Sequence, residues 1–164
     1  MSEGTPPDDS ENDNGGDGDQ ENLRRHLTDR CRTAIDELRD ERPEAELIAV
    51  HGDWAWVSIG TVNPSLVNDV FDQEEVLAIL RIPTDFPNGR RPYGIVTYPY
   101  VTKHDGQEVD SVHRNHQKGR PARDALDVDE VALWSYQWEG FTWNEPADLR
   151  KAPEVVRSRF EKED

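Results

Sequence analysis

Cysteine occurs once in this 164-residue chain, at Cys31, so no intramolecular disulfide can form. Long hydrophobic runs are missing too. Nothing approaches the roughly 18–20 apolar residues of a membrane span, and no basic-then-apolar leader precedes a cleavage site. The cytoplasm is the expected location. Lysine is scarce, with 4 against 15 arginines, and the 19 basic residues face 35 acidic ones for a net charge of −16. Phosphate backbones and anionic lipids need clustered cations, so neither nucleic acid nor membrane is expected as the main partner. A basic or neutral protein face fits better. Arginine over lysine, with so much Asp and Glu, looks like a proteome adapted to high salt, where the Debye length falls to about 3 Å near 1 M; an ordinary acidic protein is the other reading.

The length suits one domain with its own core, without disulfides or a structural metal. Residues Met1 to Asn22 hold eight acids, no Lys or Arg, and no aliphatic side chain beyond Met1. Such a segment cannot recover the entropy of ordering, so 1–22 is expected as a disordered acidic tail and 23–164 as the folded domain. Leu23, Leu27, Cys31, Ala34, Ile35 and Leu38 recur at helical spacing and predict a first helix from Leu23 to Arg42, ended by Pro43. Cys31 lies on its apolar stripe and reads as a small core hydrophobe. Glu46–His51 and Trp54–Thr61 form a hairpin across Gly52-Asp53, with Gly52 suited to positive φ.

On the second strand Trp54, Trp56 and Ser58 alternate with Ala55, Val57 and Ile59, giving an aromatic and an aliphatic face. Trp54 and Trp56 are not expected to share one core, so at least one should be covered by another element or exposed. Val62 to Gln73 is punctuated as a connection. Glu74–Ile82 is the third strand, and its run Val76–Leu80 suggests a central position covered on both faces, although five apolar residues also suit a buried helix segment. Tyr93–Tyr98 is the fourth strand. Residues 102–130 read as a long polar connection. Trp134, Trp138 and Trp143 are expected as core and satellite cluster, and Pro146–Lys162 as a closing helix with Pro153 at its first position.

Between the third and fourth strands, Pro83, Pro87 and Pro92 fix φ at intervals of four and five residues and remove three backbone donors. Such a turn holds one irregular shape. Helix, four-stranded antiparallel meander, proline turn, irregular stretch, Trp143-Asn144-Glu145-Pro146 and closing helix follow in an order that resembles the ubiquitin-conjugating (UBC-like) superfamily, specifically its divergent prokaryotic members, over about residues 23–162. The resemblance implies an α+β fold of that architecture. Phe86-Pro87 and Pro92 match the family's aromatic-Pro turn and the proline opening its fourth strand; Trp143 matches the tryptophan opening its helical C-terminal part.

In active relatives a cysteine lies a helical turn or two before that tryptophan and carries an activated modifier as a thioester, because a thiolate attacks well near neutral pH and leaves readily. The matching neighbourhood here, Trp134-Ser135-Tyr136-Gln137-Trp138, has no cysteine. The His-Pro-Asn element that usually precedes it is also missing, with His104-Asp105-Gly106 and Val112-His113-Arg114-Asn115-His116 as the nearest echoes. Ser135 would need an activating base that has no assigned residue. The resemblance therefore implies a pseudoenzyme without cofactor that binds a ubiquitin-like modifier, or the machinery that activates or removes it. Its expected contact residues are Phe86, Pro87, Arg114, Ser135 and Trp138.

Two features stand apart from that resemblance. His104, His113 and His116, with Asp105, Glu108 and Asp110 in the same segment, allow the alternative of a metal-dependent hydrolase or lyase, although their spacing matches no specific ligand motif and a solvated loop is the simpler account. Lys103, Arg114, Lys118, Arg120 and Arg123 form a basic island on an acidic chain, suited to a carboxylate-bearing partner or to local charge balance. A structural assembly subunit with a solubilising tail is the remaining alternative.

Overall fold

A computed structural model of the chain describes residues 20–88, 90–138 and 140–162. Thr28 opens helix α1 (Asp29–Glu41): its backbone is extended and its side chain accepts a hydrogen bond from the Cys31 N–H. The Thr28 N–H meanwhile donates to Thr84 O at 3.1 Å, outside the helix. The single helix expected over 23–42 is thus interrupted, with a separate helical turn at 20–24. Leu23 and Leu27 still pack on the core across the interruption, so apolar spacing alone cannot reveal it. The helix ends where expected, at Arg42 (φ −130°, ψ 90°) ahead of Pro43. Of the expected tail, residues 1–19 lie outside the described residues, and 20–22 belong to the helical turn, where Gln20 Nε2 donates to Leu47 O at 2.6 Å.

The expected α+β class holds, but among the described residues the sheet has six strands, not four. They are β1 (Glu46–His51), β2 (Trp54–Val62), β3 (Val76–Pro83), β4 (Ile95–Tyr98), β5 (Val112–Arg114) and β6 (Ala132–Trp134), ordered β1-β2-β3-β4-β6-β5 and antiparallel throughout. Gly52 takes the hairpin turn at φ +60°. A one-turn helix α2 (Pro64–Val67), capped by Asn63, sits between β2 and β3. The 102–130 stretch is no plain connection either: it holds β5, a 3₁₀ turn (Gln117–Gly119) and helix α3 (Arg120–Leu126). A three-residue strand is too short to show alternation, which is why polarity masked it.

The sheet is covered on both faces. On one side Leu47, Ala55, Val57, Ala78, Leu80 and Ile82 pack against Cys31, Ile35 and Leu38 of α1 and Val156 and Phe160 of the closing helix α4 (Ala152–Glu161). Phe71, Trp134 and Phe160 meet edge-on there at centroid distances of 5.2, 5.3 and 6.0 Å. On the other side Ala49, Trp56, Ile79, Val96 and Leu133 pack against Ala122 of α3 and Val131. Trp54 and Trp56 do share a face, since residues two apart on a strand point the same way, and this smaller cluster takes both. The run in β3 is therefore strand, covered on both sides as expected. The closing segment begins as a 3₁₀ helix (Pro146–Lys151), and Pro153 falls in the first turn of α4.

Replacing the cap by Thr28→Ala is expected to cost about 1 kcal/mol in chemical denaturation. Thr28→Asn, which can cap equally well, should retain most of that stability.

Candidate functional site

The proline turn is held from three sides. Within it, Phe86 N–H donates to Pro83 O at 3.0 Å and Asn88 N–H to Asp85 O at 2.8 Å, while Thr84 N–H reaches Asp53 O of the β1–β2 hairpin at 2.9 Å. Helix α1 supplies the second hold, because Arg30 Nη1 donates to Asn88 Oδ1 at 2.6 Å. The same guanidinium donates through Nη2 to Asn144 O at 3.0 Å and lies 3.8 Å from Glu145, so it ties the turn to the Trp143–Pro146 segment. Aromatic packing is the third hold. The Phe86 ring stands edge-on to Trp143 at 5.6 Å, and Trp143 is edge-on to Trp138 at 5.2 Å and stacked on Phe141 at 5.9 Å. Asp148 fixes the segment locally by accepting from the N–H groups of Glu145 (3.0 Å) and Asn144 (2.8 Å), which hold its carboxyl below the usual range.

The expected contact residues divide at this junction. Phe86 is fully buried and Trp138 is 1% exposed, its indole Nε1–H donating to Gly94 O at 3.3 Å, so both support the surface from beneath. Pro87, Phe141 and Trp143 are partly buried and Asn88 is exposed; these form its outer side. Ser135 is half-buried, its N–H bonded to Ser111 O at 2.9 Å, and among the described residues no base reaches its hydroxyl. Arg114 stacks on Tyr100 at 3.7 Å and pairs with Glu130 at 2.5 Å and Glu108 at 3.5 Å, so its charge is neutralised locally.

The histidines do not converge. His104 Nδ1 lies 3.4 Å from Asp72 Oδ1, whereas His113 and His116 face each other at 5.6 Å, with His116 Nδ1 accepting from Lys118 N–H. Among the described residues no group of three or more His, Cys, Asp or Glu side chains is placed to hold a metal. Cys31 is as its sequence context implied, wholly buried with Sγ 3.7 Å from Pro83 O. Burial pushes its thiol up to about 12, a thiolate at that depth being desolvated.

A second site lies on the opposite sheet face, and sequence reasoning missed its central residue. A cavity of about 760 Å³ is lined by Ile48, Trp54, Trp56, Arg81, Lys118 and Arg120 among others. The guanidinium of Arg81 stacks 3.7 Å from the Trp54 ring centroid and lies 5.6 Å from that of Trp56. The available signal was Arg81 itself, a lone charge in the apolar run Val76–Pro83, paired in register with Trp56. Comparison with protein-family models, with curated proteins and with solved structures finds no match to the chain.

Because folding keeps the Cys31 thiol neutral well above its unfolded value, the associated stability is complete below pH ~8.5 and is lost as pH rises toward 12. Between pH 9 and 11 the wild-type chain should lose stability more steeply than Cys31→Ala, by up to ~1.4 kcal/mol per pH unit in urea denaturation. Parallel curves would contradict this account.

Proposed function

We propose that the chain is a non-catalytic UBC-like domain whose turn junction docks a ubiquitin-like modifier or the enzyme that activates or removes it. One observation carries the reading. The Phe86–Trp143 contact, with Arg30 bridging Asn88 to Asn144, sets the proline turn, α1 and the Trp-x-x-Pro segment side by side. That juxtaposition is what the UBC-like resemblance calls for. The antiparallel run β1 to β4 supports it further, with β6 and β5 extending the sheet beyond the family's four strands.

Docking is favoured over transfer by the chemistry of the junction. Thioester formation needs an accessible sulfur of low pKa, and the only thiol, Cys31, is buried on the core-facing side of α1 with its pKa raised. Ser135 has no base to activate it among the described residues. The outer side of the junction, formed by Pro87, Asn88, Phe141 and Trp143, instead offers a surface with partly covered aromatic rings, a composition suited to protein contact.

Incubation with the ubiquitin-like proteins of the same cell, their activating enzyme and ATP should yield no reducible adduct. NMR titration should show binding, with shifts centred on Asn88 and Trp143, and Trp143→Ala should weaken it about tenfold, or ~1.4 kcal/mol. A thioester on any residue, or shifts confined to the opposite sheet face, would reject the proposal.

A further inference from the structure

Arg81 is 7% exposed, and its Nε–H has no hydrogen-bond partner among the described residues. Its nearest acceptor, Tyr93 O, lies at a long 3.5 Å from Nη1, and no carboxylate pairs with it among the described residues. A buried guanidinium left in this condition is costly, because desolvation is only partly offset by the faces of Trp54 and Trp56. Burial lowers its pKa to about 10, which still leaves it a cation at neutral pH. Several other arginines of this acidic chain find carboxylates: Arg24, Arg42, Arg90, Arg114 and Arg150 do.

Two more cations share the cavity. Lys118, whose ammonium lies 4.6 Å over the Tyr93 ring, and Arg120 line it, and neither pairs with a carboxylate among the described residues. Positive charge from Lys118, Arg81 and Arg120 reaches the neighbouring His116, whose pKa is lowered by burial and then by these cations and His113. Asp124 is the acidic lining residue, and it is engaged by Arg123 at 3.3 Å. Asp53, at the hairpin tip, is engaged by Arg90 at 2.9 Å. Three cations thus converge on a concave space whose apolar wall is Ile48, Trp54 and Trp56, and a volume near 760 Å³ is that of a small-molecule site.

We infer that this cavity binds a small oxyanion, a carboxylate or phosphate carried on a planar or apolar body, with the guanidinium of Arg81 as its central partner and Lys118 and Arg120 at its rim. The guanidinium of Arg81 lines the cavity and offers its terminal Nη–H donors to the oxyanion, while the apolar wall of Ile48, Trp54 and Trp56 takes the body. Its wall residue Trp56 and the turn's Phe86 belong to different clusters, on opposite faces of the sheet.

The test is tryptophan fluorescence and thermal melting of the full chain with benzoate, phenyl phosphate and inorganic phosphate, at ionic strength fixed with sodium chloride. Saturable quenching and a raised Tm are expected, with affinity at least tenfold weaker in Arg81→Met and several-fold weaker in Lys118→Met. Preference for phenyl phosphate over benzoate identifies a phosphate ligand, and the reverse a carboxylate; either upholds the site. Should Arg81→Met fail to fold by circular dichroism, Arg81→Lys keeps the charge without the fork and should bind about tenfold less tightly. Non-saturable responses, or equal responses in wild type and the Arg81 variant, overturn the inference. Trp143→Ala should leave anion affinity unchanged, which separates this site from the docking junction.

Discussion

Strand β3 runs third in the six-stranded sheet with packed layers on both faces, so seven of its eight residues are buried and Leu77 is partly so. Its alternation delivers Ala78, Leu80 and Ile82 to the α1 side and Ile79 and Arg81 to the α3 side. A charge placed in such a strand cannot reach bulk water by a small rotation, and its neighbours must accommodate it. Two residues later the same strand ends at Pro83 and hands the chain to the proline turn on the α1 side. The turn junction and the cationic cavity therefore hang from one element, and a register slip of one residue in β3 would exchange the faces and abolish both.

Those parts of the fold written as long periodic patterns were legible in the residues. The stripe Cys31–Leu38, the Gly52-Asp53 hairpin and the apolar β3 run all produced the elements their spacing implied. The parts that escaped depend on contacts distant in sequence. The break before α1 comes from Thr28 capping one way and bonding to Thr84 the other, and β6 forms on the edge that β4 offers while β5 forms on the edge of β6. The candidate sites split likewise. Phe86 and Trp143 could be paired from motif order, but that Phe86 and Trp138 face inward is a matter of packing. Arg81 was visible as an anomaly in an apolar strand, whereas its convergence with Lys118 and Arg120 requires α3 to fold back over the sheet.

Charge is distributed with little waste of pairing on this acidic molecule. Arg30 bridges two loops, Arg114 sits between two glutamates over a tyrosine ring, and Arg150 reaches Glu37 of α1 from the 3₁₀ helix. Exposed pairs of this kind each contribute little stability, and salt weakens them further. Their effect is positional. The guanidinium of Arg81, stacked on Trp54, differs from these in that no carboxylate pairs with it among the described residues.

The two ends of the sheet carry a consequence of their own. On β1 the register shifts between Leu47 and Ala49, and Gln20 caps Leu47 O, while β5 is only three residues long and shows His113 and Arg114 to solvent. Bulges, side-chain caps and short charged borders make poor templates for adding a strand from another copy. In concentrated brine, where ionic screening leaves a charge of −16 with little long-range repulsion, these irregular margins are what would keep neighbouring molecules from zipping together into ribbons.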